Sequence, residues 1–230
     1  LIIGICVVFG LWYVAGLYRA YEAATVKNTN QDSTTTLKDA IANSKTPINL
    51  LIIGVEGPNY PGGLLSDTMM VASIDTKAKT VSLLSIPRDL YVTIPGYGKE
   101  KINAAHSLAE QAGAKTNEKG KGPELLKQVV TDTFGIPIHY FVRLDFDGFR
   151  KIIDALGGVD VDVKTAIHDP YYPNGTGGYQ TFSIKAGPQH LNGEIALKYA
   201  RSRQTTSDFD RARRQQDIVS AGKDKLVSPS

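Results

Sequence analysis

The chain has 230 residues with 26 Lys and Arg against 23 Asp and Glu, a formal charge of +3, and is 42% hydrophobic and 21% charged. This composition excludes both a disordered tail and a fully membrane-embedded protein, and the length supports a sizeable core. The single cysteine, Cys6, allows no internal disulfide, and the four histidines (His106, His139, His168, His190) are too scattered for a zinc motif. Charge is concentrated in one place. The segment Lys198 to Arg214 carries a net +4, leaving −1 for the rest of the chain, which points to a local anion site rather than a generally basic surface.

Residues 1–18 carry no charged side chain. As a helix they would be about 27 Å long, close to the thickness of a bilayer core. Trp12, Tyr13 and Tyr18 lie toward one end and Arg19 closes the run, so a single-pass transmembrane anchor is expected. The chain begins at Leu1 rather than Met, and a native N-terminal tail is expected to precede it. Residues 19–46 are polar and read as a linker that keeps the following domain, 47–226, near the bilayer.

Beyond the linker, INLLIIG (48–54) has the character of a buried strand. MMVASID (69–75) and TVSLLSI (80–86) predict two more, joined by a turn at Thr76–Lys79. A helix is expected over Asn103–Ala112. Another is expected on the stripe Leu125, Leu126, Val129, Val130 and Phe134, with Pro123 near its start and Gly135 at its stop. IHYFVRL (138–144) reads as a strand, Phe146–Leu156 as a helix ended by Gly157-Gly158, and VDVDV (159–163) as a half-exposed strand. Asn174–Tyr179 reads as an exposed loop. Asn192 is a candidate cap for a helix to about Ser202, and Ser207 with Asp210 for a last helix to about Ala221. Interleaved strands and helices predict an α/β domain, a mixed central sheet with helices on both faces in three layers.

The candidate chemistry is that of anion binding. Arg201 and Arg203 end one predicted helix. Arg211, Arg214 and Gln215 stand at i, i+3 and i+4 on the next, so they share a face. Guanidinium forks match phosphate oxygens in pairs; the bland alternative is a solvated basic face paired with Asp208 and Asp210. Arg88, in SIPRDLY, emerges at the end of a buried strand, where open α/β sheets tend to bind ligands, and could instead simply pair with Asp89. Asp67 follows a glycine-bearing loop and Glu56 follows the first strand. Two carboxylates beside a pyrophosphate would suit Mg²⁺, which needs few protein ligands, whereas a turn or capping role is the alternative for Asp67. Lys101 and Asn103 are possible lining residues, and His106 and His139 are as readily packing residues as bases. No P-loop, G-x-G-x-x-G or G-x-S-x-G pattern is present, so ATP, dinucleotide and serine-hydrolase chemistry find no support.

These pieces together resemble the LytR-CpsA-Psr family of cell-envelope proteins. The resembling blocks are LLIIGVE (50–56), SDTMMVASID (66–75), LLSIPRDLYV (83–92), KINAAHSLA (101–109), FDGFRKIIDALGGVDVDV (146–163), GPQHLNGEIALKYARSR (187–203) and DFDRARRQQDIV (208–219). The resemblance implies a phosphotransferase on the outer face of the plasma membrane of a Gram-positive cell. It would move a teichoic acid, capsule or other wall glycan from a polyprenyl-pyrophosphate carrier to a peptidoglycan hydroxyl. It also implies an apolar tunnel for the lipid between sheet and helices. Carried over by motif, Asp67, Arg88, Arg201 and Arg203 are catalytic. Arg88, Arg201, Arg203, Arg211, Arg214 and Gln215 bind the pyrophosphate, and Asp67 with Glu56 holds Mg²⁺, with Mn²⁺ as the alternative ion. The chain departs from the family pattern at Glu56, usually Asp, and at Leu65, often Arg. Competing readings are a polyprenyl-pyrophosphate hydrolase and a non-catalytic membrane-tethered regulator. No nucleic-acid partner is expected, because no helix-turn-helix with polar recognition residues is visible.

Overall fold

A computed structural model of the chain describes residues 44, 46–57, 60, 63–116, 120–175, 177–202 and 207–227. The expected anchor, nearly all of the expected linker, and Arg203 lie outside these residues. Among the described residues no helix is long and apolar enough to cross a membrane. Contacts divide the described chain into two compact units that meet in sequence at Asp145 and Phe146.

The first unit is built on a four-stranded mixed sheet in the order β3-β2-β1-β6. β1 (Ile48–Val55) pairs antiparallel with β2 (Ser66–Asp75), and β2 pairs antiparallel with β3 (Thr80–Ser85). A short hairpin, β4 (Tyr91–Ile94) and β5 (Gly98–Lys101), precedes the helices α1 (Ala104–Thr116) and α2 (Lys121–Phe134). β6 (Tyr140–Leu144) then joins β1 in parallel. Leu51, Ile53 and Val55 alternate along β1 and project to one face, where they meet Met69 and Val71 of β2 and Leu126, Val129 and Val130 of α2. α2 stops where the sequence says it should. Gly135 adopts φ 67°, open to glycine at little cost, and its N–H donates to the Thr131 carbonyl.

The second unit begins with α3 (Phe146–Ala155), followed by β7 (Val159–Val163), the hairpin β8 (Ile167–Pro173) and β9 (Tyr179–Ile184), and β10 (Gly187–Leu191). β7 pairs antiparallel with β10. Its Val159, Val161 and Val163 are buried while Asp160 and Asp162 are exposed, the alternation the VDVDV pattern demands. α4 (Gly193–Arg201) and α5 (Asp208–Val227) complete the unit. Asn192 caps α4 by accepting from the Ile195 N–H at 2.9 Å. Ser207 and Asp210 form a reciprocal cap on α5: the Ser207 N–H donates to Asp210 Oδ2 at 3.0 Å, and the Asp210 N–H donates to Ser207 Oγ at 3.2 Å. α4 abuts α3 closely. A Cβ on Gly193 would come within 2.4 Å of the Arg150 carbonyl oxygen, so the approach requires glycine.

The fold class is therefore mixed α/β with a mixed sheet and five described helices. The strand and helix assignments hold, with shifted ends: β2 starts at Ser66, α1 runs on to Thr116 and α5 to Val227. Five strands, β4, β5, β8, β9 and β10, have no counterpart in the sequence reading, and the exposed loop expected at Asn174–Tyr179 is the connection between β8 and β9, with Tyr179 the first residue of β9. β4 and β5 have only four residues each, and β8 carries two prolines, which weakens its strand pattern.

Candidate anion-binding site

In the first unit the site residues gather at the carboxyl ends of the parallel strands β1 and β6, the end at which ligands bind in open α/β sheets. β2 runs antiparallel, so its first residues arrive at this same end. The pairing skips one residue there: Gly54 faces Thr68 and Val55 faces Ser66, leaving Asp67 as the extra residue of a bulge. Bulges re-aim side chains beside functional sites. Ser66 is fully buried, and its N–H and Oγ both lie 3.2 Å from the Asn103 carbonyl.

Arg88 follows β3 after Pro87 and donates from Nη1 to Asp67 Oδ1 at 2.6 Å; its Nε lies 3.5 Å from Asp89 Oδ2. Both the pairing with Asp89 and a closer contact to Asp67 are thus present. Arg88 and Asp67 keep about a fifth to a quarter of their side-chain surface exposed, so the pair faces a solvent-reachable rim. Lys101 pairs with Asp89 at 2.7 Å, and the Asn103 N–H donates to the Arg88 carbonyl at 3.3 Å. Glu56 stands one residue beyond Val55, beside the bulge. His106 is fully buried, and its Nδ1–H donates to the Leu64 carbonyl at 2.7 Å, tying α1 to the chain just before Asp67. Burial pushes its pKa below the ordinary histidine value, and the nearby positive charge of Arg143 adds to that. His139 instead lies at the other end of β1, where its Nδ1 accepts from the Asn49 N–H at 3.0 Å. A groove of about 800 Å³ opens at that same far end, lined by Tyr97, Ala109, Gly113, Leu125, Gln128 and Ile138. Its size is within the range of small-molecule sites.

The second unit holds Arg201, Arg211 and Arg214. Arg201 ends α4 with its guanidinium 3.9 Å from the centroid of Phe146 and 5.6 Å from that of Tyr172, whose hydroxyl accepts from Nη1 at 3.2 Å. Stacked and hydrogen-bonded, the fork is held in one orientation. The next residue, Ser202, is fixed by donating from Oγ to Asp169 Oδ2 at 2.8 Å. Asp169 also accepts from the Tyr171 N–H at 3.1 Å across a bulge in β8. Phe146, Tyr172 and Asp169 escaped the sequence reading because aromatic and turn residues in mid-chain give no signal until the chain is folded.

Arg211, Arg214 and Gln215 share a face of α5, as their spacing predicts, and that face is turned inward: Arg211 and Arg214 are 8% and 6% exposed. Arg211 lies 3.2 Å from Asp208. Arg214 donates from Nε to the Tyr199 carbonyl at 2.9 Å and from Nη2 to the Ser202 carbonyl at 2.5 Å, and Gln215 reaches the Ala200 carbonyl at 3.4 Å. Arg214 and Gln215 therefore satisfy carbonyls at the carboxyl end of α4, where a cation is favoured. Arg213 points outward and pairs with Asp210 at 3.1 Å.

The metal expectation meets a donor set of two. Among the described residues no group of three or more His, Cys, Asp or Glu could hold an ion. Asp67 and Glu56 offer hard oxygen donors on adjoining strand ends, a set that fits Mg²⁺ where phosphate oxygens and waters complete the shell.

The fold and these rims define a class: an α/β protein carrying arginines on stacked, capped or ion-paired mounts at the ends of its elements. Its family follows from comparison. The profile of the LytR_cpsA_psr family matches residues 13–230, and the chain belongs to that family. It is 36% identical over 80% of its length to the polyisoprenyl-teichoic acid–peptidoglycan teichoic acid transferase TagU of Oceanobacillus iheyensis, covering 53% of that protein. The crystal structure of B. subtilis TagV matches 81% of this chain and 67% of its own at 36% identity with a TM-score of 0.65. The family protein YwtF (TagT) with bound octaprenyl pyrophosphate lipid matches 90% of this chain and 72% of its own at 26% identity, TM-score 0.60. The chain spans about half the length of the curated relatives it matches.

Proposed function

We propose that the protein transfers a wall glycopolymer, as its phosphate, from a polyprenyl-diphosphate carrier to a hydroxyl of peptidoglycan. The observation that carries this reading is the Arg88–Asp67 pair, set by a bulge at the carboxyl ends of β1 and β6 and open to a ligand, in a chain of this family. The acceptor oxygen attacks the phosphorus attached to the polymer, a phosphodiester forms, and the bond to the bridging oxygen breaks to release polyprenyl phosphate. Such a transfer asks little covalent chemistry of the protein. It asks for positioning and for neutralisation of the charge growing on the leaving phosphate.

Arg88 answers the second need, because Asp67 already orients its guanidinium toward the rim. Asp67 Oδ2, or a nearby acid, would draw the proton from the attacking hydroxyl, a role that competes with metal binding on the same carboxylate. Asp67 and Glu56 would hold Mg²⁺, whose chemistry there is to offset diphosphate charge. Arg201 and Arg211 are assigned by their motifs to phosphate recognition as well. The groove beside α1 and α2 supports a place for the prenyl tail in the first unit, at the far end of the sheet from Asp67. The apolar segment 1–18 would tether the domain on the outer face of the membrane, where no ATP is at hand and a preformed diphosphate must supply the energy.

The test is a purified full chain given labelled lipid-linked polymer with and without peptidoglycan fragments. Product that depends on the acceptor supports transfer; equal turnover without it indicates hydrolysis. Arg88→Ala is expected to lower the rate by about 10²–10³. Wild-type transfer by that variant would overturn the assignment.

A further inference from the structure

Arg143 stands on β6 opposite Ile53 of β1, two residues from the carboxyl end of the sheet reached by Asp67. Residues paired across a ladder project to the same face. Ile53 belongs to the core cluster beneath α1 and α2, and Phe141, two residues before Arg143, packs against it. Arg143 is therefore aimed into that face, among apolar neighbours. Among the described residues it has no carboxylate partner, and its Nε is buried without a hydrogen-bond acceptor. A buried, unanswered guanidinium donor is costly and rare in folded proteins.

A second unanswered atom lies on the same side. His106 is fully buried, its Nδ1–H is spent on Leu64, and its Nε2 has no partner. The two groups sense each other, because the charge of Arg143 disfavours protonation of His106. An unanswered donor on Arg143 and an unanswered acceptor on His106, both on the face of the sheet beneath α1 and α2, are the groups that an oxygen-rich ligand and a water hydrating it would satisfy. The position fits the head group. β2, β1 and β6 are neighbours, so Asp67 and Arg143 are two strands apart, roughly 10 Å at about 4.8 Å per strand. Arg88, joined to Asp67, and Arg143 thus stand on either side of β1.

We propose that Arg143 is a further phosphate-binding residue, gripping the second phosphate of a lipid diphosphate from across β1 while Arg88 grips the first. The inference rests on the phosphotransfer reading and adds a selectivity to it. Of these two arginines a monophosphate meets only Arg88, whereas a diphosphate meets both, so Arg143 separates substrate carrier from the released product.

Equilibrium titration of the full chain in detergent micelles with farnesyl diphosphate and farnesyl monophosphate tests this. Arg143→Gln is expected to weaken diphosphate binding by about tenfold or more, the scale of one charge-assisted contact, and monophosphate binding by less than about threefold. Arg143→Lys should fall between, and the exposed Arg213→Gln should bind like wild type. Unchanged diphosphate affinity in a folded Arg143→Gln chain overturns the inference, as does an equal loss for both ligands. If the variants do not fold, the wild-type chain decides. Diphosphate should shield Arg143 from phenylglyoxal, read by peptide mapping, and modification of Arg143 at an unaltered rate while Arg88 is shielded overturns it. Failure of the wild-type chain to bind diphosphate at all overturns the phosphotransfer reading and this inference with it.

Discussion

Arg214 gives the sharpest test of how the arginine-rich segment is used. Its guanidinium is buried and bonds the carbonyls of Tyr199 and Ser202, the last turn and cap of α4, with its charge 5.7 Å from the Tyr199 ring centroid. Arg214→Ala removes two charged hydrogen bonds of about 1.5–3 kcal/mol each and leaves both carbonyls short of a donor. Against this, the buried cation carries a desolvation cost that the variant relieves, which is also why burial pushes the Arg214 pKa below its ordinary value. The balance is a loss of about 3 kcal/mol. Arg214→Met, which restores the stem but not the donors, should lose about 2 kcal/mol. Urea unfolding of the full chain followed by circular dichroism reads both, through a lower midpoint at constant slope. A variant within about 0.5 kcal/mol of wild type that binds lipid diphosphate tenfold less well would refute the reasoning. It would show the guanidinium acting on substrate rather than on the end of α4.

Three further outcomes follow from the same geometry. Arg201→Lys keeps the charge but loses the planar stack on Phe146, and is expected to lower transfer by about tenfold or more, read as initial rate on lipid-linked substrate. His106 is held neutral by burial, so its folded pKa lies below the unfolded one. Its contribution is whole above the unfolded value near 6.5 and is lost as pH falls below it, because the unfolded chain then binds the extra proton. Urea midpoints at pH 7 and pH 5 should therefore diverge more in wild type than in His106→Asn; equal divergence would refute this. Gly193→Ala would drive a Cβ into the Arg150 backbone and should cost about 2 kcal/mol or more, visible as a lowered thermal midpoint.

What the sequence discloses follows from how local the signal is. The α2 stop at Gly135, the Asn192 cap and the Ser207–Asp210 cap are each decided within four residues, and each was readable. The valine alternation of β7 was readable for the same reason. β4, β5, β8, β9 and β10 were not: β4 and β5 have four residues each, β8 is interrupted by prolines, and all are stabilised by partners that periodicity does not encode. At the site, Arg88 and Asp67 could be nominated, but their 2.6 Å contact spans twenty-one residues of sequence and needs the sheet to exist. The i, i+3, i+4 spacing correctly put Arg211, Arg214 and Gln215 on one face. It could not say that the face turns toward α4, because burial is a property of the neighbour. Arg143 looked like one more residue in an apolar strand pattern, and its isolation is visible only once its surroundings are in place.

The bulge at Asp67 has a consequence for how this protein can change. Val55 already pairs with Ser66, so a chain lacking residue 67 would zip β1 and β2 into an unbroken ladder. The sheet would gain regularity from the very deletion that removes the carboxylate holding Arg88. Laboratory selection for thermal hardiness alone would thus drift toward losing this residue, and keeping it requires that each round also screen for the reaction.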